Sequence, residues 1–297
     1  MAARVRTLPA AIAPVLVGSA AAYAVQQPDE RLQDVLYVTF FSWPNFIAAL
    51  IGAIFIQIGT NLANDYSDAK RGADTVDRLG PVRVTAAGMV APRRVLYATW
   101  AAFGIAALAG LYLTIEVGPE ILVIGILSIA AGVLYTGGPK PYGYEGLGEV
   151  FVFVFFGLVA VNGSFYVQLE DLETLPILLS IPIGLLSAAI LVVNNVRDID
   201  TDRRAGKRTL AVRMGRERSR ELYVVMIAAS YALLPIALFA GDAPAWGLLG
   251  YLSLPLAIKP VRAVRERTDG PALNGALAGT GALLGAYALL VSVGLLI

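Results

Sequence analysis

The sequence predicts an all-α protein, a polytopic membrane bundle of about nine transmembrane helices around a central cavity opening near the cytoplasmic face. Three observations carry that expectation. The 297 residues are 57% hydrophobic and 15% charged, with a mean hydropathy of +0.69, far more apolar than a water-soluble core requires. Apolar runs long enough for a bilayer core of about 30 Å recur along the chain. The basic residues between those runs fall almost entirely on alternate loops.

Taken in order, the first run, 8–25, follows Arg4 and Arg6 and ends in Ala-rich sequence. It has the outline of a signal peptide, but keeping it as a span preserves the match between loop charge and topology. The second run, 44–64, leads into NDYSDAKRGAD, Asn64 to Asp74. The third, fourth and fifth are 95–115, 120–136 and 147–168. The sixth, 175–196, leads into NNVRDIDTDRRAGKRT, Asn194 to Thr209. The seventh, eighth and ninth are 220–240, 244–259 and 272–296, and the fourth and eighth are short.

With nine spans, all but Arg31 of the 23 basic residues share the side that carries Arg4, the 65–94 loop, Lys140, the 197–220 loop and Lys259 to Arg267. The positive-inside rule makes that side cytoplasmic. The N-terminus and both aspartate-rich segments therefore face the cytoplasm of a prokaryotic cell, with the chain integral to its plasma membrane. The opposite loops hold acids such as Asp29, Glu30, Asp34, Asp171 and Asp242, so the net charge of +1 conceals a polarised molecule.

The chain has no Cys and no His, which excludes disulfides, thiolate or imidazole catalysis and His-type metal sites. Acids, bases and ligands must come from Asp, Glu, Tyr, Lys, Asn or Gln. Hard oxygen ligands favour Mg2+, which binds through one or two carboxylates plus substrate phosphates. Gln57, Asn61, Asn64 and Asp68 are spaced to share one helix face, as are Asn194, Asp198 and Asp202. A carboxylate at the centre of a spanning helix costs about 2.5–3.5 kcal/mol, less toward the interface, and usually marks function. Several together need a cation. Asn-x-x-x-Asp in both segments hints at an internal duplication within one domain, 1–297, relating 8–136 to 147–259 and leaving 272–296 as a last helix.

At these residues the chain resembles the UbiA superfamily of intramembrane prenyltransferases. Asn64/Asp68 match its Asn-x-x-x-Asp motif and Asp198/Asp202 its Asp-x-x-x-Asp motif. DRLGPVRVT (77–85), YTGGPKPYGYEGLGE (135–149) and GLVAVNGSFYVQ (157–168) are similar to the 1,4-dihydroxy-2-naphthoate polyprenyltransferases within it. The resemblance implies Mg2+ on Asp65, Asp68, Asp74, Asp198 and Asp202, with Asn64, Asp68, Asp198 and Asp202 catalytic. It also implies transfer of a polyprenyl group from its diphosphate to 1,4-dihydroxy-2-naphthoate, with loss of diphosphate and carbon dioxide, in menaquinone synthesis. Lys70, Arg71, Arg197 and Lys207 are placed to neutralise diphosphate, Arg by a planar fork and Lys as a point charge. Gln57 and Asn61, deeper on the Asp68 face, are expected at the acceptor. Tyr135, Asn194, Asn195 and Lys140 complete the substrate-binding candidates, although Lys140 stands where related sequences vary.

Two alternatives stay open at this level, a UbiA-type enzyme with another aromatic acceptor and a cation-coupled transporter, whose site would usually lie near the bilayer midplane. The expected partners are the bilayer and small molecules, with no nucleic acid. Donor chain length and oligomeric state are not legible in apolar helix sequence.

Overall fold

The computed structural model describes residues 4–26, 41–72, 79–80, 83–85 and 87–297. The loop charges Asp29, Glu30, Arg31 and Asp34 lie outside them. All regular structure among the described residues is helical. Its elements are α1 (Leu8–Val25), α2 (Trp43–Lys70), α3 (Pro92–Glu116), α4 (Glu120–Leu134), α5 (Gly148–Val152) and α6 (Ala160–Leu169), followed by α7 (Thr174–Arg204), α8 (Leu210–Met214), α9 (Arg216–Ala240), α10 (Pro255–Glu266) and α11 (Gly270–Leu296). Prolines open α2, α3, α10 and α11, where a missing N–H costs nothing. Ser42 and Asp269 cap α2 and α11 by accepting from Asn45 N at 3.3 Å and Ala272 N at 3.0 Å.

Each of the nine apolar runs falls in helix, but seven helices among the described residues are long and apolar enough to cross a membrane. The fourth run is a helix of 15 residues, about 22 Å at 1.5 Å per residue and short of the bilayer core. The eighth divides into a 3-10 stretch, Ala245–Ser253, and α10, with Pro255 at the junction. Large apolar side chains such as Leu108, Ile115, Val225 and Phe239 cover the outside of the bundle. Only lipid suits so continuous an apolar surface, and the chain is an integral membrane protein.

Helix α7 is the centre of the bundle, buried on all sides over most of its length from Leu175 to Ile199, as an all-round apolar helix must be. It packs against α9, α11, α1 and the π-helical segment Phe153–Val159 that joins α5 to α6. Close approach there depends on paired glycines. A Cβ on Gly157 would lie 2.7 Å from both Gly184 Cα and Ser180 O, so only small residues let these helices touch. Buried tyrosines tie α9 to α11 by hydroxyl bonds, Tyr223 to Thr280 at 2.8 Å and Tyr287 to the Ser230 carbonyl at 3.2 Å.

Helices α2 and α7 are the longest, 28 and 31 residues. In both, the apolar sequence runs out before the helix does, and the last turns carry the polar residues. Their C-terminal turns meet at one cavity.

Candidate active site

Residues from α2, α7 and the segments around Tyr144 and Lys207 line a cavity of about 420 Å³. One end is polar and the rest apolar, lined by Ile56, Leu111, Ile126, Phe155 and their neighbours. On α2, Gln57, Asn61, Asn64, Asp65 and Asp68 are all buried, and all but Asp65 line the cavity. From α7 come Asn194, Asn195, Asp198 and Asp202.

Asp68 is the electrostatic centre. Arg83 Nη2 donates to its Oδ2 at 2.6 Å, the Tyr144 hydroxyl donates to Oδ1, and Lys207 Nζ lies 3.7 Å from Oδ1. Lys207 also sits 4.6 Å from the centre of the Tyr144 ring, a cation–π contact. Two cations on one buried carboxylate reflect where that carboxylate sits. Asp68 lies in the last turn of α2, where the helix dipole adds negative charge, so its charge in low dielectric requires a positive partner.

The backbone supplies Lys207 through a glycine. At the end of α7, Gly206 takes a left-handed φ of 74°, and Lys207 N then donates to the Asp202 carbonyl at 2.9 Å, which turns the chain back onto the site. Arg208 N donates to Tyr144 O at 2.8 Å, joining the Lys207 segment to the Tyr144 turn. Burial raises the Tyr144 phenol, and the Asp68 charge and hydrogen bond raise it further. Tyr144 therefore stays a protonated donor through the physiological range.

On the α7 side, Arg197 forms a buried fork with Asp198, Nε to Oδ1 at 2.8 Å and Nη2 to Oδ2 at 2.6 Å. Its other donors reach Asn194 Oδ1 at 2.8 Å and Asn274 Oδ1 at 2.7 Å. Arg197 is 2% exposed and does not line the cavity, in contrast to the expectation that it faces a diphosphate. Asn195 Nδ2 donates to Glu149 Oε1 at 2.8 Å, while Glu149 Oε2 is buried without a hydrogen-bond partner. Asn64 Oδ1 accepts from Thr136 at 2.9 Å.

The other expected residues divide. Tyr135 and Lys207 line the cavity. Lys70, Arg71 and Lys140 are exposed and do not. Arg71 donates instead to the Gly138 carbonyl and stands 5.9 Å from the Tyr144 ring centre. Asp74 lies outside the described residues. Arg83, Tyr144 and Glu149 were not singled out from sequence, although each sits in a motif stretch quoted above. Their only signal was membership of that stretch.

Oxygen donors suited to a hard divalent ion are present on both helices, in Asn64, Asp68, Asp198 and Asp202. Among the described residues, no three carboxylates gather into a preformed metal cage. That fits an ion held by one or two carboxylates together with ligand oxygens. Asp65 Oδ1, buried without a hydrogen-bond partner, is a further unsatisfied oxygen beside the site.

The chain is 41% identical over 290 residues to a Mycobacterium tuberculosis protein named 1,4-dihydroxy-2-naphthoate octaprenyltransferase, covering 98% of this chain and 94% of that one. A UbiA homolog from Aeropyrum pernix K1 shares the fold with a TM-score of 0.67 at 16% identity, over 98% of this chain and 97% of that chain. A UbiA homolog from Archaeoglobus fulgidus, solved bound to DMAPP and Mg2+, superposes with a TM-score of 0.60 at 15% identity, over 97% and 98%. The UbiA prenyltransferase family profile matches residues 35–277, and the chain belongs to that family.

Proposed function

We infer that the chain is a 1,4-dihydroxy-2-naphthoate polyprenyltransferase of menaquinone synthesis. The observation that carries the reading is the cavity itself, in which Asp68 of α2 is paired with Arg83 and Lys207, Asp198 and Asp202 of α7 share the lining, and apolar side chains occupy much of the rest. An allylic diphosphate has that same division, and the name of the mycobacterial relative supports the acceptor.

In the reaction, the allylic C–O bond breaks and diphosphate leaves with the electron pair. The ring carbon bearing the carboxylate then forms the new C–C bond, and loss of carbon dioxide returns the electrons that restore aromaticity. No strong protein base is needed, which suits a chain without histidine. Arg83 and Lys207 move part of their interaction from Asp68 to the diphosphate, and Tyr144 holds the Asp68 carboxylate in place. The apolar lining keeps water from the allyl cation.

The donor set fits Mg2+. Each ion would take one or two carboxylates together with diphosphate oxygens, Asp68 with Asn64 on α2 and Asp198 or Asp202 on α7, and Asp65 offers a further oxygen. When bound, the ion neutralises the diphosphate and makes it a better leaving group. Purified protein given a polyprenyl diphosphate and the hydroxynaphthoate should yield the decarboxylated prenylated product, identified by mass. EDTA should stop turnover and added Mg2+ should restore it. Turnover undiminished in EDTA would remove the metal from the reading.

The loop charges further support a reading in which the N-terminus and the site face the cytoplasm from a bacterial inner membrane. Ser67→Cys and Ala205→Cys should react with an impermeant thiol reagent only from the cytoplasmic side, and Asp171→Cys and Asp242→Cys only from the other. The chain has no native cysteine to obscure the result. Labelling of both sets from one side would overturn the orientation.

A further inference from the structure

The segment before α1 enters the cavity. Thr7 ends a 3-10 turn, Val5–Thr7, and its hydroxyl accepts from Gln57 Nε2 at 3.0 Å and from Asn61 Nδ2 at 3.1 Å. The same hydroxyl donates to the Arg4 carbonyl at 2.9 Å, and Thr7 N donates to that carbonyl at 2.8 Å. On its other side the turn leans on α11, where a Cβ at Gly281 would come within 2.9 Å of Arg6 O. Arg4 itself lines the cavity. It adopts a left-handed φ of 45°, a conformation that is strained for a residue with a side chain and persists only where neighbours enforce it.

Among the described residues that line the cavity, the cations are Arg4, Arg83 and Lys207. Arg83 and Lys207 both converge on Asp68 at the diphosphate end. The Arg4 backbone carbonyl is tied through Thr7 to Gln57 and Asn61, roughly three and two turns before Asp68 on α2, which sets the turn carrying the cavity-lining Arg4 beside a different stretch of α2. An aromatic acid brings a carboxylate that must be matched in this low-dielectric space, and a guanidinium matches it with two parallel bonds.

We propose that Arg4, presented by the Thr7-anchored turn, binds the ring carboxylate of the acceptor and selects aromatic acids over neutral phenols. This assignment rests on the prenyltransferase reading above. Because the carboxylate leaves as carbon dioxide, the contact exists with the substrate and not with the product, which favours product release.

The test is equilibrium binding of two fluorescent probes in the absence of donor, 1-hydroxy-2-naphthoate and 1-naphthol, to the full chain and to Arg4→Ala and Arg4→Lys. Arg4→Ala should weaken binding of the acid about tenfold to a hundredfold and leave the phenol unchanged, and Arg4→Lys should recover part of the loss. The donor KM should not move. Equal weakening of both probes with a lowered Tm would make the turn merely structural and overturn the assignment. A raised donor KM with unchanged acid binding would give Arg4 to the diphosphate, and no change in any constant would remove it from the site. Failure of the wild type to prenylate the dihydroxy acid would sink the functional reading instead, while its preference for acid over phenol would still report on Arg4.

Discussion

Asp68→Ala should abolish prenyl transfer while the protein still inserts and purifies as a folded bundle. The side chain is about as buried as any in the molecule, yet what it touches is not packing. Arg83, Lys207 and Tyr144 all converge on its two oxygens. Without the carboxylate, two cations face one another in low dielectric with nothing between them, and the phenol loses its acceptor. The α2 contribution to a metal site goes with it. Removing one preorganised electrostatic stabiliser typically costs about 10²–10³-fold in turnover, and here one residue organises three groups. Asp68→Asn is the sharper variant because it keeps the shape and one acceptor oxygen but removes the charge. It should be as inactive as Asp68→Ala and closer to wild type in Tm. Retention of more than about a tenth of the activity, roughly 1.4 kcal/mol of barrier, by either variant would remove Asp68 from the chemistry.

The apolar helices were readable because twenty or so apolar residues have one solution in a bilayer. Gln57, Asn61, Asn64 and Asp68 were readable as one face because the period of a helix is fixed. What failed was reach. Lys70 and Arg71 follow the aspartates in sequence but turn outward at the end of α2, whereas Lys207 is folded back by Gly206. Lys140 and Tyr144 are four residues apart in one loop, one exposed and the other on Asp68. Loop residues have no period, so their direction depends on tertiary contacts that spacing does not encode. The fourth and eighth runs show the same limit from the other side. Apolar content predicted spans, but a 15-residue helix and a proline at 255 decided their lengths.

Arg197→Ala should damage the protein differently from loss of a substrate contact. Were its guanidinium a diphosphate ligand, the variant would raise the donor KM and leave stability alone. The structure spends that guanidinium elsewhere, on both oxygens of Asp198 and on Asn194 and Asn274, at 2.6 to 2.8 Å. Asn274 Nδ2 in turn donates to the Leu79 carbonyl at 3.0 Å, so the network joins α7 to α11 and to the segment leading toward Arg83. Breaking a buried pair from one side leaves the other charge without compensation and costs about 3–5 kcal/mol. A clearly lowered Tm is the first expected result. The second is a fall in kcat, because Asp198 and Asn194 line the cavity and lose the group that fixes them. Arg197→Lys should rescue little, since a point charge cannot hold two carboxylate oxygens and two amide oxygens in one plane. Arg197→Ala with Asp198→Asn should recover part of the Tm but none of the activity, because the double change removes the orphaned charge and also the carboxylate. A raised donor KM at unchanged Tm and kcat would return Arg197 to the diphosphate and show that the fork opens when substrate binds.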